Sequence, residues 1–353
     1  MQHGWNTTCY QLLNPGMKHW FPDSGDALIG YVTHAGTRVV AGAPVCARER
    51  FVPVATEFEA SARRQGERVC FFAAEEWFER RWQHHRTRAR IVLGAQPVWN
   101  LQSWPEHADH SRNLRAQLNR ARNKQVRVTE WPTGRAQGCN ELRAVHAGWL
   151  AGRGLPPLRF LVESDVIDHL GGRRIFVAES AAGTEGFLTA CPVPARNGWL
   201  AELVVRRGGA PNGTAELLVD QAARLLAADG AARFTLGLSP LAHPHSQTPL
   251  PVWLRLMQAW LRAHGRRFYN FRGLEYFKAK FDPPEWQPIY AMLPGRRTSP
   301  RDLYAIAAAF AGGPPFSMLA RAMSGAVRDE LGSLVQRWSP PNGARRDRSR
   351  RAP

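Results

Sequence analysis

The sequence predicts a mixed α/β fold of the α+β type, built from two similar halves that a basic helix joins. The first observation is the order of the hydrophobic patterns. Ahead of the basic helix it is strand, strand, helix, strand, helix, strand, and a similar order follows it. Strict alternation would instead predict a doubly wound sheet. The second is length, because 353 residues correspond to two or three domains. The third is composition, since 44% apolar residues are enough for a normal core.

The first half begins with an irregular segment, residues 1–23, rich in Trp, His and Pro. Two strands, ALIGYVTHAG and TRVVAGAPV, then form a pair around Ala35-Gly36. A helix over residues 51–66 has apolar side chains at helical spacing and ends at Gly66. The half is completed by a strand (RVCFFAA), a helix (EEWFERRWQHHR) and two further short strands within ARIVLGAQPVWNL.

The basic helix, residues 111–125, leads into the second half. A strand (VRVTEW), a helix at about 138–152 and a short helix from Asp165 to Leu170 come first. The remaining elements are the strands RIFVAES, TEGFLTACPVP and GWLAELVVR, a helix after the turn APNG, the strand ARFTLGLSPL, a Trp-rich helix at about 250–264 and the apolar helix SPRDLYAIAAAFAGG.

This order of elements resembles the acetyltransferase-like fold of the GNAT superfamily, present in tandem. The resemblance implies a domain division into four regions. They are an N-terminal GNAT-like domain (1–110), the basic bridging helix and strand (111–130), a C-terminal GNAT-like catalytic domain (131–295), and an apolar helix with a basic, disordered tail (296–353).

The charge of the chain predicts an anionic partner. Lys and Arg number 47 against 29 Asp and Glu, which gives a net charge of +18. Nucleic acid, a phosphate-rich cofactor and an anionic lipid surface all suit that balance, and a solubility device in an Arg-rich proteome is the alternative. Removing the basic tail leaves the body strongly basic, so a partner is favoured.

Other compositional features narrow the class of protein. The five cysteines are widely spaced and form no CxxC, which predicts reduced thiols in a cytosolic protein. No run of 18 apolar residues occurs, and the N-terminus has no signal-peptide core, so any membrane contact is predicted to be peripheral. The histidine pairs have no carboxylate or Cys at metal spacing. We therefore expect no metal site.

The basic helix is the first candidate functional element. Leu114, Leu118 and Ala121 share its apolar face. A polar stripe lies beside that face, and no acidic residue occurs between Ser111 and Thr129. A helix of one charge sign is costly unless an anion binds it, and arginine matches phosphate oxygens with two donors. The stripe consists of Arg112, Arg115, Asn119 and Arg122. The alternative is a solvated face.

The turn RRGGAPNGTAELL, residues 206–218, is the second candidate, because free amides at a helix start bind phosphate. Arg206 and Gly209 match the coenzyme A turn of acetyltransferases, but Pro211 has no N–H to donate. The match is therefore poor, and no cofactor is predicted. Asn212 and Gly213 are the turn residues that a substrate would contact, and a simple helix cap is the alternative.

Two further stretches carry candidate residues. In TLGLSPLAH, small residues at Gly237, Ser239 and Pro240 let a ligand approach the backbone. The stretch has no GxSxG pattern, so Ser239 is not predicted to be a nucleophile. In FYNFRGLEYFKAKFDPPEWQPIY the aromatic residues are predicted to be core. Lys278 and Lys280 stand at strand spacing there, which predicts one shared face beside Arg272.

Four motifs together resemble the soluble catalytic domain of bacterial phosphatidylglycerol lysyltransferases, the aminoacyl-phosphatidylglycerol synthases. They are NLRAQLNRARNKQVRV, PNGTAELL, TLGLSPLA and FRGLEYFKAKFDPPEWQPIY, and the resemblance runs from about residue 24 to 293. It implies two GNAT-like folds and transfer of an aminoacyl group from aminoacyl-tRNA to a hydroxyl of an anionic lipid. It also implies a cytoplasmic enzyme at the inner face of the membrane, of the kind linked to cationic peptide resistance.

The resemblance assigns roles to residues of this chain. The stripe on the basic helix would hold the tRNA acceptor end or a lipid phosphate, and Glu202 with Arg206 would shape the aminoacyl pocket. Backbone groups of residues 237–240 would line the site, and Arg272, Lys278 and Lys280 would meet phosphates. The residues assigned to catalysis are Glu202, Arg206, Glu216, Lys278 and Lys280. Those assigned to substrate binding are Arg112, Arg115, Asn119, Arg122, Asn212, Gly213, Gly237, Ser239, Pro240 and Arg272.

One departure concerns the strand GWLAELVVR. The family places an acidic residue three positions before its Arg, where this chain has Leu203, and Glu202 precedes it. One step along a strand turns a side chain to the other face. The identity of the transferred amino acid therefore stays open, and no general base is assigned. An acyl-coenzyme A-dependent acyltransferase and a non-catalytic module that binds RNA or a membrane surface are the alternative functions.

Overall fold

The computed structural model describes residues 1–85, 88–152, 160–161, 165–240, 242 and 271–314. Its strands form one twelve-stranded mixed sheet, with helices on both faces. The strands are β1 (Lys18–Trp20), β2 (Ile29–His34), β3 (Thr37–Ala41), β4 (Arg68–Glu75), β5 (Arg90–Asn100), β6 (Arg127–Trp131), β7 (Arg174–Ser180), β8 (Gly183–Val193), β9 (Gly198–Arg206), β10 (Arg233–Thr235), β11 (Ser239–Pro240) and β12 (Glu285–Met292).

The α-helices of the described residues are α1 (Phe51–Arg64), α2 (Glu76–His85), α3 (Trp104–His110), α4 (Arg112–Asn123), α5 (Thr133–Ala136), α6 (Asn140–Ala151), α7 (Thr214–Ala228), α8 (Phe271–Ala279) and α9 (Pro300–Ala311). Short 3-10 helices occur at Tyr10–Leu13, Arg48–Arg50, Leu101–Ser103 and Pro194–Arg196. The Trp-rich helix expected at about 250–264 lies outside the described residues.

The two halves repeat one topology. In the N-terminal half, β1, β2 and β3 pair antiparallel, and α1 crosses over to β4, which is parallel to β3. In the C-terminal half, β6 to β9 pair antiparallel, and α7 crosses over to β10, which is parallel to β9. The predicted mixed α/β class is confirmed.

The halves exchange their last strands. The sheet order is β1-β2-β3-β4-β12-β5-β10-β9-β8-β7-β6, with β11 paired to β5 off this path. β12 from the C-terminal half therefore lies between β4 and β5, and β5 from the N-terminal half lies beside β10. The predicted domain boundaries stay a prediction. β12 comes from the C-terminal region of the chain but pairs with β4 and β5 of the N-terminal region.

The centre of the sheet is the antiparallel pair β5–β12, whose register runs from Glu285↔Val98 to Met292↔Arg90. The sequence prediction of two short strands in this stretch is wrong, because β5 is one strand from Arg90 to Asn100. The glycine and proline in the stretch suggest a break. Gly94, with φ of 151°, instead lies where the register shifts opposite Ile289/Tyr290, so the strand bends without ending.

One face of the C-terminal half carries the larger helical core. Trp99, Phe234 and Leu218 are buried there with the apolar face of α4. Leu114, Leu118 and Ala121 form that face, as their spacing predicts. On the opposite side, the N-terminal segment covers the sheet near its centre: the backbone N–H of Thr7 donates to Glu75 at 2.6 Å, and Asn6 Nδ2 donates to the carbonyl of Ala73 at 3.1 Å.

Two other local predictions are wrong. Residues 165–170 form overlapping hydrogen-bonded turns and not a helix. The N–H of Asp168 donates to the carbonyl of Asp165, and the N–H of His169 donates to that of Val166.

The stretch that contains Lys278 begins as helix α8 and only later becomes strand β12. Phe277 on the helix packs edge-to-face on Phe281, just beyond its end, at a centroid distance of 5.4 Å. Asp282, at φ of 45°, and the prolines after it end the helix.

Helix α7 begins directly against the backbone of α4. A Cβ at Gly213 would lie 2.0 Å from the carbonyl oxygen of Gln117, and Gly213 has φ of +92°. Gly209, four residues earlier, has φ of +86° with nothing within 4 Å of its Cβ position. A substitution at Gly209 therefore carries only the cost of the left-handed backbone, whereas one at Gly213 also carries the cost of a clash with α4.

We expect Gly213→Ala to destabilise the fold more than Gly209→Ala. Both substitutions carry the cost of a left-handed backbone, about 1–2 kcal/mol, but only Gly213→Ala drives a methyl group into α4, which adds about 1–3 kcal/mol. Urea unfolding of the two variants measures the difference. Equal losses of the free energy of unfolding would contradict the close contact.

Candidate active site

The candidate active site lies on the segment after β10. The Lys278 ammonium or amine group, from α8, donates to the carbonyl oxygens of Gly237 at 2.8 Å and Leu238 at 2.9 Å. Gly237 has φ of +71°, and a Cβ there would lie 3.1 Å from Leu200 Cδ1. A side chain at this position would be strained and would press on β9, so glycine permits the close approach.

Burial controls the chemistry of Lys278. Its side chain is 4% exposed, and burial lowers its pKa from 10.5 to about 7. The neutral amine has two N–H donors, which match the two carbonyls, and one lone pair that remains free. Near neutral pH the group can therefore accept and return a proton.

Lys280 has a different environment. Its Nζ contacts Glu216 Oε1 at 2.8 Å, and Glu216 is buried in the first turn of α7. Lys280 Nζ also lies 5.4 Å from the centre of the Tyr276 ring. The prediction that Lys278 and Lys280 share one strand face is wrong, because Lys278 belongs to a helix and the two side chains bind different partners. The backbone of Arg272 belongs to α8, and its side chain lies outside the described part.

Glu202, on β9, is held in a buried polar cluster. Arg173 Nε contacts Glu202 Oε2 at 2.7 Å and Arg173 Nη2 contacts Oε1 at 3.1 Å. Gln11 Nε2 donates to Oε1 at 3.1 Å, and the Cys191 thiol donates to Oε2 at 3.0 Å. Burial raises the pKa of Glu202, but the hydrogen bonds and charge of Arg173, with Cys191 and Gln11, outweigh burial and lower it overall. Glu202 is therefore an ionised carboxylate.

The Glu202 cluster adjoins the Lys278 segment. Cys191 lies opposite Leu200 in the β8–β9 register, and Leu200 packs with Tyr10 and Cys191. Leu200 also lies against Gly237, whose carbonyl accepts from Lys278. A continuous series of contacts thus joins a buried carboxylate on β9 to a buried amine on α8.

Buried polar atoms without a partner add to this region. Gln11 Oε1, Gln96 Nε2 and Ser239 Oγ make no hydrogen bond within the part of the chain that the structure describes. Buried polar atoms in proteins are normally satisfied, so such atoms are available to a ligand. Sequence reasoning missed Gln11, Arg173, Cys191 and Gln96, and no motif marks any of them.

The residues of the turn before α7 have different environments, and their assignment to a substrate stays a prediction. Arg206 is exposed, and its Nη1 donates to the Ala210 carbonyl at 3.3 Å, so it does not join Glu202. Gly213 is buried against α4, while Asn212 is exposed. The start of α7 is therefore occupied on one side by protein backbone.

The polar stripe of α4 is exposed as its pattern predicts. Arg112, Arg115 and Asn119 face solvent. Arg122 is 48% exposed and lies 3.6 Å from the buried Asp220, which also accepts from Arg224 at 3.0 Å and from Trp104 at 3.1 Å. The stripe thus has little acidic compensation within the described residues.

The described residues contain no cluster of three or more His, Cys, Asp or Glu placed to hold a metal ion. Across those same ranges, no helix is both long and apolar enough to cross a membrane.

Comparison with known proteins decides the family. Residues 1–293 match the model of the family described as "Phosphatidylglycerol lysyltransferase, C-terminal". This chain belongs to that family. The phosphatidylglycerol lysyltransferase of Bacillus subtilis is 26% identical over 275 residues, which cover 77% of this chain and 32% of the relative. That of Staphylococcus xylosus is 23% identical over 283 residues, 79% of this chain and 33% of the relative. The chain spans about a third of the length of these relatives.

Solved structures agree on the fold. The C-terminal domain of a protein described as a lysylphosphatidylglycerol synthetase from Agrobacterium fabrum has a TM-score of 0.73 and 22% identity, with coverage of 87% of this chain and 93% of that one. The structure of L-PGS from Bacillus licheniformis has a TM-score of 0.72 and 22% identity, with coverage of 87% and 92%. The family resemblance and the fold predicted from sequence are confirmed.

The low pKa of Lys278 predicts how stability depends on pH. Because the folded pKa, about 7, lies below the unfolded value of 10.5, the unfolded chain binds more protons between these values. Stability therefore rises with pH in that window, by up to about 1.4 kcal/mol per pH unit. Lys278→Met removes this dependence.

We expect the stability of Lys278→Met relative to the parent protein to be greatest below pH 7 and to fall as pH rises toward 10.5. Denaturant unfolding at pH 6, 7.5 and 9 measures it. Lys18→Met, which removes an exposed lysine, is the control. A stability difference that stays constant over the three pH values would contradict the account of Lys278.

Proposed function

We propose that this chain transfers an aminoacyl group from aminoacyl-tRNA to a hydroxyl group of phosphatidylglycerol. The observation that carries the proposal is Lys278, a buried amine whose pKa lies near 7 and which contacts the segment beside the Glu202 cluster. The names of the relatives support a phosphatidylglycerol acceptor and a lysyl group. Since the acceptor is a membrane lipid and the donor a tRNA, the reaction takes place at the inner surface of the membrane.

The donor ester is already activated, so the reaction needs no nucleophile from the enzyme. The lipid hydroxyl oxygen attacks the ester carbonyl carbon, a new C–O bond forms, and the bond to the tRNA ribose oxygen breaks. The hydroxyl proton must finally reach that ribose oxygen. Neutral Lys278 takes up the proton and returns it to the leaving oxygen, as a general base and then a general acid. Holding both reactants together supplies much of the remaining rate.

The polar groups of the site suit the aminoacyl group. The ionised Glu202 carboxylate, though engaged by Arg173, keeps a negative charge on this side of the sheet. Gln11 Oε1 and Ser239 Oγ lack partners in the described residues and can meet the ammonium group or the ester. Glu216 and Lys280 form an adjacent ion pair that fixes the end of α8 against α7.

A tRNA donor fits the chain better than coenzyme A. At the turn where acetyltransferases bind pyrophosphate, Pro211 has no N–H, and Gly213 packs on the Gln117 carbonyl. The exposed stripe with Arg112 and Arg115 offers a phosphate-binding surface of a different kind. These features support an RNA donor over the acyl-coenzyme A alternative.

Labelled aminoacyl-tRNAs, lysyl-tRNA first, incubated with the protein and phosphatidylglycerol vesicles test the proposal. We expect labelled lipid, and RNase treatment of the donor should abolish it. Lys278→Met should lower kcat by about 10²–10⁴-fold, the usual contribution of a general base. It should also remove the inflection near pH 7 from the pH profile. Lys18→Met is the matched control.

Three results would contradict the proposal. A product that survives RNase but needs acetyl-coenzyme A would favour the acyltransferase alternative. RNA binding that is tight and salt-sensitive, without turnover, would favour a non-catalytic module. Full activity of Lys278→Met with an unchanged pH profile would remove the proton-transfer role from this residue.

A further inference from the structure

A cavity of the described residues lies outside the candidate active site. Its volume is about 840 Å³, and it opens where β5 ends and β10 begins. The residues that matter for its chemistry are Trp5, Trp77, Arg48, Arg196, Arg233 and Gln287. None of these residues belongs to the site predicted from the sequence, and the volume is within the range of small-molecule pockets.

One wall of the cavity combines indole rings with arginine side chains. Trp5 and Trp77 lie with their ring centres 4.7 Å apart. The guanidinium of Arg48 lies 5.1 Å from the centre of the Trp77 ring, and that of Arg196 lies 3.6 Å from the centre of the Trp5 ring. Single-stranded RNA bases stack on aromatic rings and on arginine planes of this kind. Arg48 is exposed, so the guanidinium over Trp77 is accessible, while Phe51 and Arg81 also pack on this half-buried indole.

The carboxylates of the cavity are already engaged. Glu75 accepts from Thr7 and contacts Arg196 at 2.7 Å. Glu76 pairs with Arg80 at 2.6 Å, and Glu285 accepts from Gln287 at 2.9 Å.

Two arginine side chains of the cavity form no ion pair with a carboxylate of the described residues. Within the described residues, Arg48 and Arg233 have no carboxylate at ion-pair distance. Arg233 donates to the side-chain oxygen of Gln287. Burial and the charge of Arg196 lower the pKa of Arg233, against the opposing effect of Glu75 and Glu285. An anion beside Arg233 would therefore compensate its guanidinium for the water that burial removes.

The register places the cavity in line with the candidate active site. Arg233 lies opposite Gly198 and Asn100, and Thr235 lies opposite Leu200 and Val98. Side chains opposite each other in neighbouring strands point to the same face. Gly237 is four residues beyond Arg233, which corresponds to roughly 13 Å of extended chain. A ligand anchored at Arg233 can thus extend toward Lys278.

We propose that this cavity binds one nucleotide of a single-stranded RNA end, with its base on the Trp77–Arg48 platform and its 5′-phosphate at Arg233. The inference rests on the proposed function, since it supplies a position for the end of the tRNA donor. A glycerophosphate headgroup would use Arg233 but has no ring to meet the indoles, so the aromatic wall favours the nucleotide.

Isothermal titration of the full chain with AMP, ribose 5-phosphate and glycerol 3-phosphate tests the inference. We expect AMP to bind at least about tenfold more tightly than ribose 5-phosphate, since stacking of one base contributes about 1–3 kcal/mol. Arg233→Gln should weaken AMP and ribose 5-phosphate alike, by about tenfold. Trp77→Leu should weaken AMP alone.

Arg48→Gln provides a variant at an exposed position, so the test does not depend on the folding of the variants at the half-buried Trp77 and Arg233. We expect Arg48→Gln to weaken AMP binding several-fold. Arg64→Gln removes an exposed arginine at the end of α1 and is the control. Glycerol 3-phosphate that binds as tightly as AMP would overturn the inference in favour of a lipid headgroup. No AMP binding, or AMP binding that Arg48→Gln and Arg233→Gln leave unchanged, would also overturn it.

The two proposals fail in different ways. Transfer from aminoacyl-tRNA without AMP binding would overturn the cavity assignment and leave the proposed function in place. AMP binding that needs Arg233, without any transfer, would support the cavity assignment and contradict the proposed function.

Discussion

The antiparallel pairing of β5 with β12 is the interaction on which the rest of the structure depends. Each strand closes the half of the chain to which it does not belong by sequence: β12 pairs with β4, and β5 pairs with β10. The eight register pairs between them make one sheet of two halves that would otherwise end in open edges. Helix α8 leads directly into β12, and β11 pairs with β5, so the exchange also brings Lys278 to Gly237.

Burial has opposite effects on the two charged groups of the candidate site. Glu202 is buried with Arg173 and stays ionised because that cation compensates for lost water. Lys278 is buried with two carbonyl oxygens, and burial lowers its pKa to about 7. Pairs of groups whose environments set different protonation states are typical of acid–base sites. The site therefore combines a fixed negative charge with a group that can exchange a proton.

Local patterns predict the local elements of this fold well. The apolar spacing of Leu114, Leu118 and Ala121 gives the buried face of α4, and Ala35-Gly36 gives the turn between β2 and β3. The nature of the segment around Lys278 was predicted wrongly. Two lysines two residues apart fit a strand, whereas in the fold Lys278 lies on helix α8 and Lys280 follows its end. Tertiary contacts decided between them.

Long-range contacts account for what the sequence does not predict. Gln11 and Arg173 reach Glu202 from distant parts of the chain, and neither belongs to a motif. The exchange of β5 and β12 cannot be predicted from the sequence either. Each strand has an ordinary apolar pattern, which does not indicate that its pairing partner belongs to the other half of the chain. The family resemblance identified Glu202 and Lys278 as candidates, but only the fold shows that a carboxylate–guanidinium pair and a buried amine are neighbours through Leu200 and Gly237.

Native-state hydrogen exchange of the amides in β5 and β12 tests the strand exchange most directly. If this pairing joins the halves, the amides of residues 90–100 and 285–292 that bond across it should open only in global unfolding. Their free energies of opening should then be equal and should match the value from denaturant unfolding. Opening of β12 at a distinctly lower free energy, while β5 remains protected, would contradict the account.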